Sequence, residues 1–295
     1  MKHFSIVKKA KVFFSISLIF LLVGVVSMLT RGFNLGIDFT GGSIIDVKFE
    51  NPVTVSEVRD VLSDHKLGSS IIQLGSMDGQ QTEESQSVLI RTGIISDDQR
   101  VETMTDMTNR LGPNEVLRVE NVGATVGRDL VKSAMGAVAL SWVLMIIYIT
   151  IRFEHNFAFA AIIALIIDVM VTLSWVSLLQ LEMDSSFVAA LLTVVGYSIN
   201  GTIVIFDRIR ENLHTHRRSE SLGDMVDNSI WQTMNRSIYT SATTLFAVIA
   251  IFLFGGETIR NFSFAMLVGF SSGFYTSTFL AGPLWIKLRS RGTHK

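Results

Sequence analysis

The sequence predicts a polytopic α-helical membrane protein with six transmembrane helices. A ferredoxin-like α+β domain is predicted between the first and second helices. Two totals indicate the membrane class. The 295-residue chain has a mean hydropathy of +0.43, and only 17% of its residues are charged. Several apolar runs reach about 20 residues, the length that crosses a bilayer. The chain has only three prolines, which favours long uninterrupted helices.

The first apolar run, 12–29, follows four lysines in the N-terminal tail. A secretory signal peptide begins in the same way. This run is longer than a typical signal core, however, and no small-x-small cleavage site follows it. We therefore interpret it as an uncleaved membrane anchor, with a cleaved signal as the alternative.

Five later runs predict the remaining helices: 130–151, 157–179, 187–206, 239–254 and 262–286. The run at 239–254 is short unless the helix begins near Arg236. Lys and Arg gather in the N-terminal tail, at Arg152, over 208–218 and near the C-terminus. Cytoplasmic loops carry the excess of Lys and Arg, so both termini are predicted in the cytoplasm.

This topology predicts four parts of the chain. Residues 1–30 hold a cytoplasmic tail and the first helix, and 31–129 form an extracytoplasmic domain. Residues 130–287 hold helices two to six, and 288–295 are a second cytoplasmic tail.

The extracytoplasmic domain is predicted to follow the order βαββαβ. Alternating or β-branched segments indicate strands at 43–50, 69–75, 87–93 and 114–123. Helical spacing indicates helices at 54–66, capped by Thr54 or Ser56, and at 96–112, capped by Ser96. "DGQQTEES" is predicted to be a polar turn. The order is the ferredoxin-like pattern, which carries no function by itself.

Composition argues against several functional classes. The formal net charge is −1 and there are no cysteines, so we expect no nucleic-acid partner and no thiolate chemistry. No nucleophile–base pair stands out, and His214 with His216 lacks a third ligand. We therefore expect no enzyme, no catalytic residue, no metal site and no cofactor.

Two spans carry polar residues at depth. Asp168 lies near the middle of the third span, and an intramembrane carboxylate is normally kept for ion or proton traffic. It is predicted to be either an ion-binding group or a structural acid bonded to a neighbouring helix. Asn200, beside Gly201 in the fourth span, is predicted to hydrogen-bond between helices rather than bind an ion. Gly196, Gly201, Gly269 and Gly273 are predicted to let helices approach closely.

Two segments flank the membrane spans. Asp38 with Gly41 and Gly42 is either a functional hinge or a turn whose glycines supply unusual dihedrals. The end of the fourth span is predicted to form a salt-bridge network or a contact with a partner protein, with positive-inside anchoring as the alternative. It consists of Asp207, Arg208, Arg210, Glu211 and Asn212. Helical spacing brings Asp207 near Arg210 or Glu211, and Arg208 near Glu211 or Asn212.

Four stretches together resemble the SecF family of bacterial protein-export membrane proteins. They are "GIDFTGG", "GYSINGTIVIFDRIREN", "NRSIYTSATTLFAVIAIFLFGG" and "FAMLVGFSSGFYTS". The resemblance covers nearly the whole chain. It implies an inner-membrane auxiliary subunit of the Sec machinery that acts with a SecD-like subunit, in a twelve-span unit related to the RND transporters. It also implies contact with the SecYEG translocon, YajC, translocating polypeptides and membrane lipid, and a proton or sodium gradient as energy source.

The chain departs from this family at one position. The family usually reads "GYSIND", and its aspartate, a leading candidate for binding the coupling ion, matches Gly201. Glycine can neither bind nor release a proton. Arg236 matches the arginine that the family places near that acid. The family also has an acid at Asp168, usually after a histidine, where this chain has Ile167. In the ion-binding alternative, Asp168 is the surviving carboxylate and Arg236 its suggested partner; the structural-acid alternative stays open.

Two alternatives remain open. One is a diverged copy that stabilises SecD or the translocon without coupling ions itself, because the family acid is missing. The other alternative is an RND-type half-transporter of small solutes or lipids. That function needs a large external cleft, and one domain of about 90 residues is small for it.

Overall fold

The computed structural model of the chain describes residues 4–75, 84–215, 220–256 and 259–292. It contains two compact units. One consists of residues 1–34 and 135–295, and the other of residues 35–134. Within the described ranges, six helices are long and apolar enough to cross a membrane. The predicted class, six spans and a small sheet domain, is confirmed.

The helices are as follows: α1 Ala10–Arg31, α2 Val55–Asp64, α3 Asp97–Leu111, α4 Ala124–Arg152, α5 His155–Leu179, α6 Ser185–His214, α7 Leu222–Phe254, α8 Arg260–Tyr275 and α9 Gly282–Gly292. A π-helical segment, Thr276–Ala281, joins α8 to α9, so that these three form the sixth span. The strands of the sheet are β1 Gly42–Thr54, β2 Ile71–Gly75, β3 Glu84–Thr92 and β4 Asn114–Val122. Short elements lie at Asn34–Leu35, Ile37–Thr40 and Glu182–Met183.

Helix α7 begins far earlier than its apolar run predicts. The hydroxyl of Ser221 accepts a hydrogen bond from the Asp224 N–H (3.1 Å) and caps the helix there. The first part of α7 is amphipathic and buries Met225, Val226 and Ile230. A hydropathy window sees only the apolar second half, so the predicted start near residues 236–239 is wrong.

The N-terminal segment is fastened to this amphipathic part of α7. The Asp227 carboxylate accepts bonds from the N–H groups of Ile6 (3.0 Å) and Val7 (2.9 Å) and from the Ser5 hydroxyl. The Trp231 indole N–H donates to the Phe4 carbonyl (3.0 Å). The carboxylate thus satisfies amide groups just before the first helix, where no intrahelical acceptor exists.

Small residues let α1 lie directly against α5. A Cβ placed on Gly24 would lie 1.8 Å from the Ser174 hydroxyl oxygen. One turn further, the Ser27 and Ser177 hydroxyls are hydrogen-bonded at 2.9 Å. Close packing of small residues with a hydroxyl pair is a common way to join helices in lipid.

Aromatic rings fill one end of the membrane unit. Trp285 and Phe157 are stacked, with ring centroids 4.6 Å apart, and Phe206 meets Phe157 edge-on at 5.0 Å. These rings are almost fully buried. They join α5, α6 and α9 at that end of the membrane unit.

The sheet of the small domain has the strand order β2-β3-β1-β4, with every neighbouring pair antiparallel. This is the ferredoxin-like arrangement that the βαββαβ pattern predicts. The core is apolar, with Val47, Val58, Val88, Ile90 and Met107 at 0% exposure. Of the predicted polar turn, residues 78–83 lie outside the described ranges.

Helix α2 begins with a capping box. The Thr54 hydroxyl accepts from the Glu57 N–H (3.2 Å), and the Glu57 carboxylate accepts from the Thr54 N–H (2.8 Å). That backbone bond, followed by the bond from the Thr54 hydroxyl, holds the pKa of Glu57 below its usual value. Thr54, rather than Ser56, is therefore the cap.

Candidate functional site

Asp168 lies at the centre of the membrane unit and is fully buried, at 0% exposure. Its carboxylate accepts three hydroxyl bonds. Ser272 of α8 donates to Oδ1 (2.6 Å), Thr276 donates to Oδ2 (2.8 Å), and Ser198 of α6 also donates to Oδ2. We call Asp168 with Ser198, Ser272 and Thr276 the hydroxyl cage. Three helical segments from separate parts of the sequence supply it.

Glycines of α8 bring the cage together. A Cβ placed on Gly273 would lie 3.1 Å from the Ser198 Cβ, and one placed on Gly269 would lie 2.2 Å from the Val194 Cγ2. The two helices therefore approach at these points more closely than any side chain would allow. The predicted close approach holds at Gly269 and Gly273. It does not hold at Gly196, where a Cβ would meet no described atom within 4 Å.

The cage borders a cavity and an irregular stretch of helix. Ser272 and Thr276 line a cavity of about 520 Å³, whose other walls include Ser17, Phe20 and Trp175. Thr276 is the first residue of the π-helical segment. Single π-helical turns inside long helices are rare and occur frequently at functional sites.

Arg236 and Asn200 occupy a different place. They line a small pocket of about 100 Å³ between α6 and α7, together with Tyr197, Gly201 and Thr240. Both polar side chains are exposed, and within the described ranges neither forms a hydrogen bond or an ion pair. We call this the arginine pocket.

The structure does not bring Asp168 and Arg236 together, so their predicted pairing is wrong. Ser198 faces Asp168 from α6, whereas Asn200 follows two residues later. At 3.6 residues per turn, two residues rotate a side chain by about 200° around the helix axis. Asn200 therefore points away from the cage, and the arginine pocket lies on a different, adjoining face of α6.

Gly201 lies between these two places. It lines the arginine pocket, while a Cβ on its backbone would lie 3.2 Å from the Ser277 hydroxyl oxygen. A side chain there would have to displace Ser277 by a few tenths of an ångström. The position therefore has room for a small side chain beside Arg236.

The predicted helix-end residues of α6 do form a network, although not with every predicted pairing. Arg208 contacts Glu211 (Nη1–Oε2, 2.5 Å) and donates from Nε to Gln232 of α7 (2.6 Å). Asp207 does not pair with Arg210 or Glu211, because its Oδ1 lies 3.6 Å from the Arg152 Nη2 of α4.

Three further bonds complete this network. Asn212 donates to Gln232 Oε1 (2.9 Å) and to the Ser229 hydroxyl (2.8 Å), and Arg210 donates to the Arg152 carbonyl (3.3 Å). The network thus joins α6 to α7 and α4. His214 is the last residue of α6, and His216 lies outside the described residues.

The glycine pair after α1 has a clear conformational role. Gly41 has φ +75° and Gly42 has φ +144°, both in the region that favours glycine. A Cβ on Gly42 would also lie 2.6 Å from the Thr92 carbonyl oxygen. The preceding turn, which contains Asp38, packs against Gly127, where a Cβ would lie 3.1 Å from the Asp38 carbonyl oxygen. The turn interpretation accounts for both glycines.

Sequence comparison places the chain among known proteins. The family "Protein export membrane protein SecD/SecF, C-terminal" matches residues 102–291, more than half of the chain, and the SecD/SecF GG motif matches residues 26–53. The chain belongs to the SecD/SecF family. The GG-motif match includes Asp38, Gly41 and Gly42. As a family member, the chain is a multi-pass membrane protein and an auxiliary component of Sec-dependent protein export, as its resemblance predicts.

Individual relatives agree with this assignment. The chain is 78% identical to the protein translocase subunit SecF of Acidaminococcus fermentans over 291 residues, 99% of each chain. It is 42% identical to that of Sebaldella termitidis over 284 residues, 96% of this chain and 91% of the relative.

A solved structure extends the comparison. The crystal structure of SecDF, a translocon-associated membrane protein from Thermus thermophilus, superposes with a TM-score of 0.87 at 32% identity. The match covers 98% of this chain and 39% of that one. The chain therefore spans about two fifths of that solved family member.

Sequence reasoning missed the hydroxyls of the cage. Ser198, Ser272 and Thr276 are common residue types, and two of them belong to a span distant in sequence from Asp168. One signal was available, because Ser272 and Thr276 are four residues apart and so share one face of a helix. Which helix faces Asp168 depends on the packing of the bundle.

Proposed function

We propose that the chain works in the bacterial cytoplasmic membrane as one half of a two-subunit assembly with a SecD-like partner. The pair uses an ion gradient to help draw secreted polypeptides across the membrane. In this proposal both termini lie in the cytoplasm, and residues 31–129 lie outside. Contacts with SecYEG and YajC are included on the strength of the family resemblance alone. The observation that carries the proposal is the exposed arginine pocket.

An exposed arginine on the apolar part of a spanning helix is costly in lipid. Insertion scales give about 2.5–3.5 kcal/mol for arginine at a helix centre, an upper bound for Arg236 at the start of the apolar run, and such residues normally face protein or water. Arg236 lies about 6 Å along α7 from Gln232 of the helix-end network, at 1.5 Å per residue. Its guanidinium has no ion-pair partner in the described part of the chain. A second subunit that covers the pocket and supplies a carboxylate would remove this cost.

The architecture supports the same proposal. Six spans form half of the twelve-span unit implied by the family resemblance, and transporters of that kind bind their ions between two repeated halves. The solved SecDF chain is more than twice as long as the part that this chain covers. A partner of comparable design would pack against the side of α6 and α7 that carries Arg236 and Asn200.

Ion coupling is assigned to Asp168 rather than to position 201. It is a fully buried carboxylate in a spanning helix, and such groups mark ion and proton pathways. Its three hydroxyl partners are all uncharged. The group can therefore exchange a cation without breaking an internal salt bridge.

A second candidate function rests on Gly201. The arginine pocket lacks the acid that the family usually places there, which favours a copy that stabilises its partner without coupling ions. Family membership favours either export role over a half-transporter of small solutes. The two export roles differ in whether Asp168 matters for gradient-dependent export, which the first prediction in the Discussion tests.

The partner surface can be mapped by cross-linking in intact membranes. We would place a photo-cross-linking residue at Ser237, which lines the arginine pocket, and at Phe159, a 60% exposed residue of α5. Phe159 lies about one turn after the start of α5, and Ser237 lies about 7.5 Å along α7 from Gln232. We expect cross-links to the SecD-like subunit from Ser237 and not from Phe159.

A charge test would accompany this map. Arg236→Leu should lower the Ser237 cross-link yield, whereas Arg236→Lys should retain it, because lysine can still pair with a partner carboxylate. Equal yields from both positions, or full yield in Arg236→Leu, would contradict the proposed interface.

A further inference from the structure

We propose that the hydroxyl cage is a sodium-ion site, in which the Asp168 carboxylate and the hydroxyl oxygens of Ser198, Ser272 and Thr276 are the ligands. The inference rests on the proposed ion coupling for its role in export. The binding of the ion itself is argued from the geometry of the cage. The proposed site is at Asp168 and not at position 201, where this chain carries Gly201.

The first argument is the direction of the hydrogen bonds. All three hydroxyls lie at positions from which they donate to the carboxylate. A hydroxyl that donates its proton keeps two lone pairs as acceptors. The cage therefore offers five oxygen atoms from four side chains around one carboxylate.

The second argument is charge. The cage contains one ionisable side chain, and no Lys, Arg or His side chain bonds to it within the described ranges. A buried carboxylate without a counter-charge is strongly disfavoured in a low-dielectric interior. A monovalent cation neutralises it, whereas a divalent ion would leave an excess positive charge. The hydroxyl oxygens lie at hydrogen-bond distance from the carboxylate, 2.6–2.8 Å, so they must move apart to admit a cation, and Na⁺ requires a smaller movement than the larger K⁺.

The third argument is the backbone beside the cage. Thr276 opens the π-helical segment, and its hydroxyl also lies 3.3 Å from the Gly273 carbonyl oxygen. It can therefore turn from Asp168 toward Gly273 when a cation occupies the carboxylate. In transporters, helices with irregular backbone commonly supply oxygen ligands for Na⁺.

The fourth argument is access. Ser272 and Thr276 form part of the wall of the 520 Å³ cavity bounded by α1, α5 and α8. Ser17, Ser271 and Tyr275 place three more hydroxyls on that wall. Ser272 and Thr276, which bond to Asp168, are thus the cage residues that border this cavity.

The test is a direct binding measurement with ²²Na⁺ on the purified full chain in lipid nanodiscs at fixed pH. We expect saturable binding that unlabelled Na⁺ displaces and K⁺ does not. Asp168→Asn and Thr276→Val should weaken the binding at least tenfold. Thr276→Ser should retain it because the hydroxyl remains. Ser271→Ala is the matched control, since Ser271 lines the same cavity without touching Asp168, and its binding should be unchanged.

Three outcomes would overturn the site: no saturable binding in the parent chain, undiminished binding in Asp168→Asn, or equal loss in Ser271→Ala and Thr276→Val. An infrared band of a protonated Asp168 carboxyl that Na⁺ does not remove would also overturn it, in favour of a proton. Failure of the export proposal gives a different result. Na⁺ binding would then be intact and sensitive to Asp168→Asn, while export would not depend on a Na⁺ gradient.

Discussion

The membrane unit contains two polar sites, the hydroxyl cage and the arginine pocket. Each holds polar side chains in a part of the chain that lies in lipid, but the two sites satisfy those side chains in opposite ways. The hydroxyl cage is internally complete: Asp168 is fully buried and three side chains of the same chain bond to it. The arginine pocket is incomplete: Arg236 and Asn200 are exposed and have no hydrogen-bonding partner in the described residues. Both lie against α6, on different faces of it.

This difference indicates what each place needs. A polar group in lipid must be satisfied by its own chain, by water or by another subunit. The cage has its partners and lacks only a counter-charge, which the proposed sodium ion would provide. The arginine pocket lacks a whole partner surface, which the proposed second subunit would provide. The same argument thus underlies both proposals, an ion at one face of α6 and a protein at another.

The largest expected effect comes from Asp168→Asn. An amide carries no charge and has one acceptor oxygen, so the cage would lose its ion. We expect the gradient-dependent part of protein export into membrane vesicles to fall by about tenfold or more, measured as the difference with and without an ionophore.

Asp207→Asn is the control for this variant. Asp207 is an acid in the exposed helix-end network, with 45% side-chain exposure, and exposed ion pairs contribute about 0–1 kcal/mol. Its export should be nearly unchanged. Normal gradient dependence of export in Asp168→Asn would instead favour the scaffold function and contradict ion coupling at Asp168.

An intermediate effect is expected from two glycine variants. One is at the tight contact between α8 and α6, and the other is at an unpacked position of α6. Gly269→Ala places a Cβ 2.2 Å from Val194, and overpacking of this kind costs about 1–3 kcal/mol. Gly196→Ala meets no described atom within 4 Å and should be neutral, or stabilising by about 0.5–1 kcal/mol through helix propensity. Thermal unfolding in detergent measures both, and equal losses of stability would show that the cage side is not tightly packed.

The smallest effect is expected from restoring an acid in the arginine pocket. Gly201→Asp places a carboxylate beside Arg236, at the cost of a small shift of Ser277. A double-mutant cycle with Arg236→Gln should give a coupling free energy of about 0.5–2 kcal/mol. A coupling near zero would mean that the two side chains do not meet, and the partner subunit would be needed to orient Arg236. Secretion measured in the same strains shows whether the acid also strengthens export.

Much of this organisation could be predicted from local pattern. The apolar runs predict the six spans, and the capping residues Thr54 and Ser96 predict where α2 and α3 begin. Gly41 and Gly42 predict a turn because few other residues adopt their backbone angles. The early start of α7 could not be predicted in this way, because its first part is amphipathic and is held by Asp227 through contacts with residues more than 200 positions away.

The sequence by itself determined the class of the protein, its spans and the family motifs, because hydropathy, charge placement and glycine dihedrals are local properties. Only the tertiary structure decided that Asp168 faces hydroxyls and Arg236 faces outward. That choice depends on how α6 is rotated between α5, α7 and α8, and two residues along a helix are enough to turn a side chain to the opposite side. Packing of the glycines of α8 against Val194 and Ser198 fixes the rotation, and no single span carries that information.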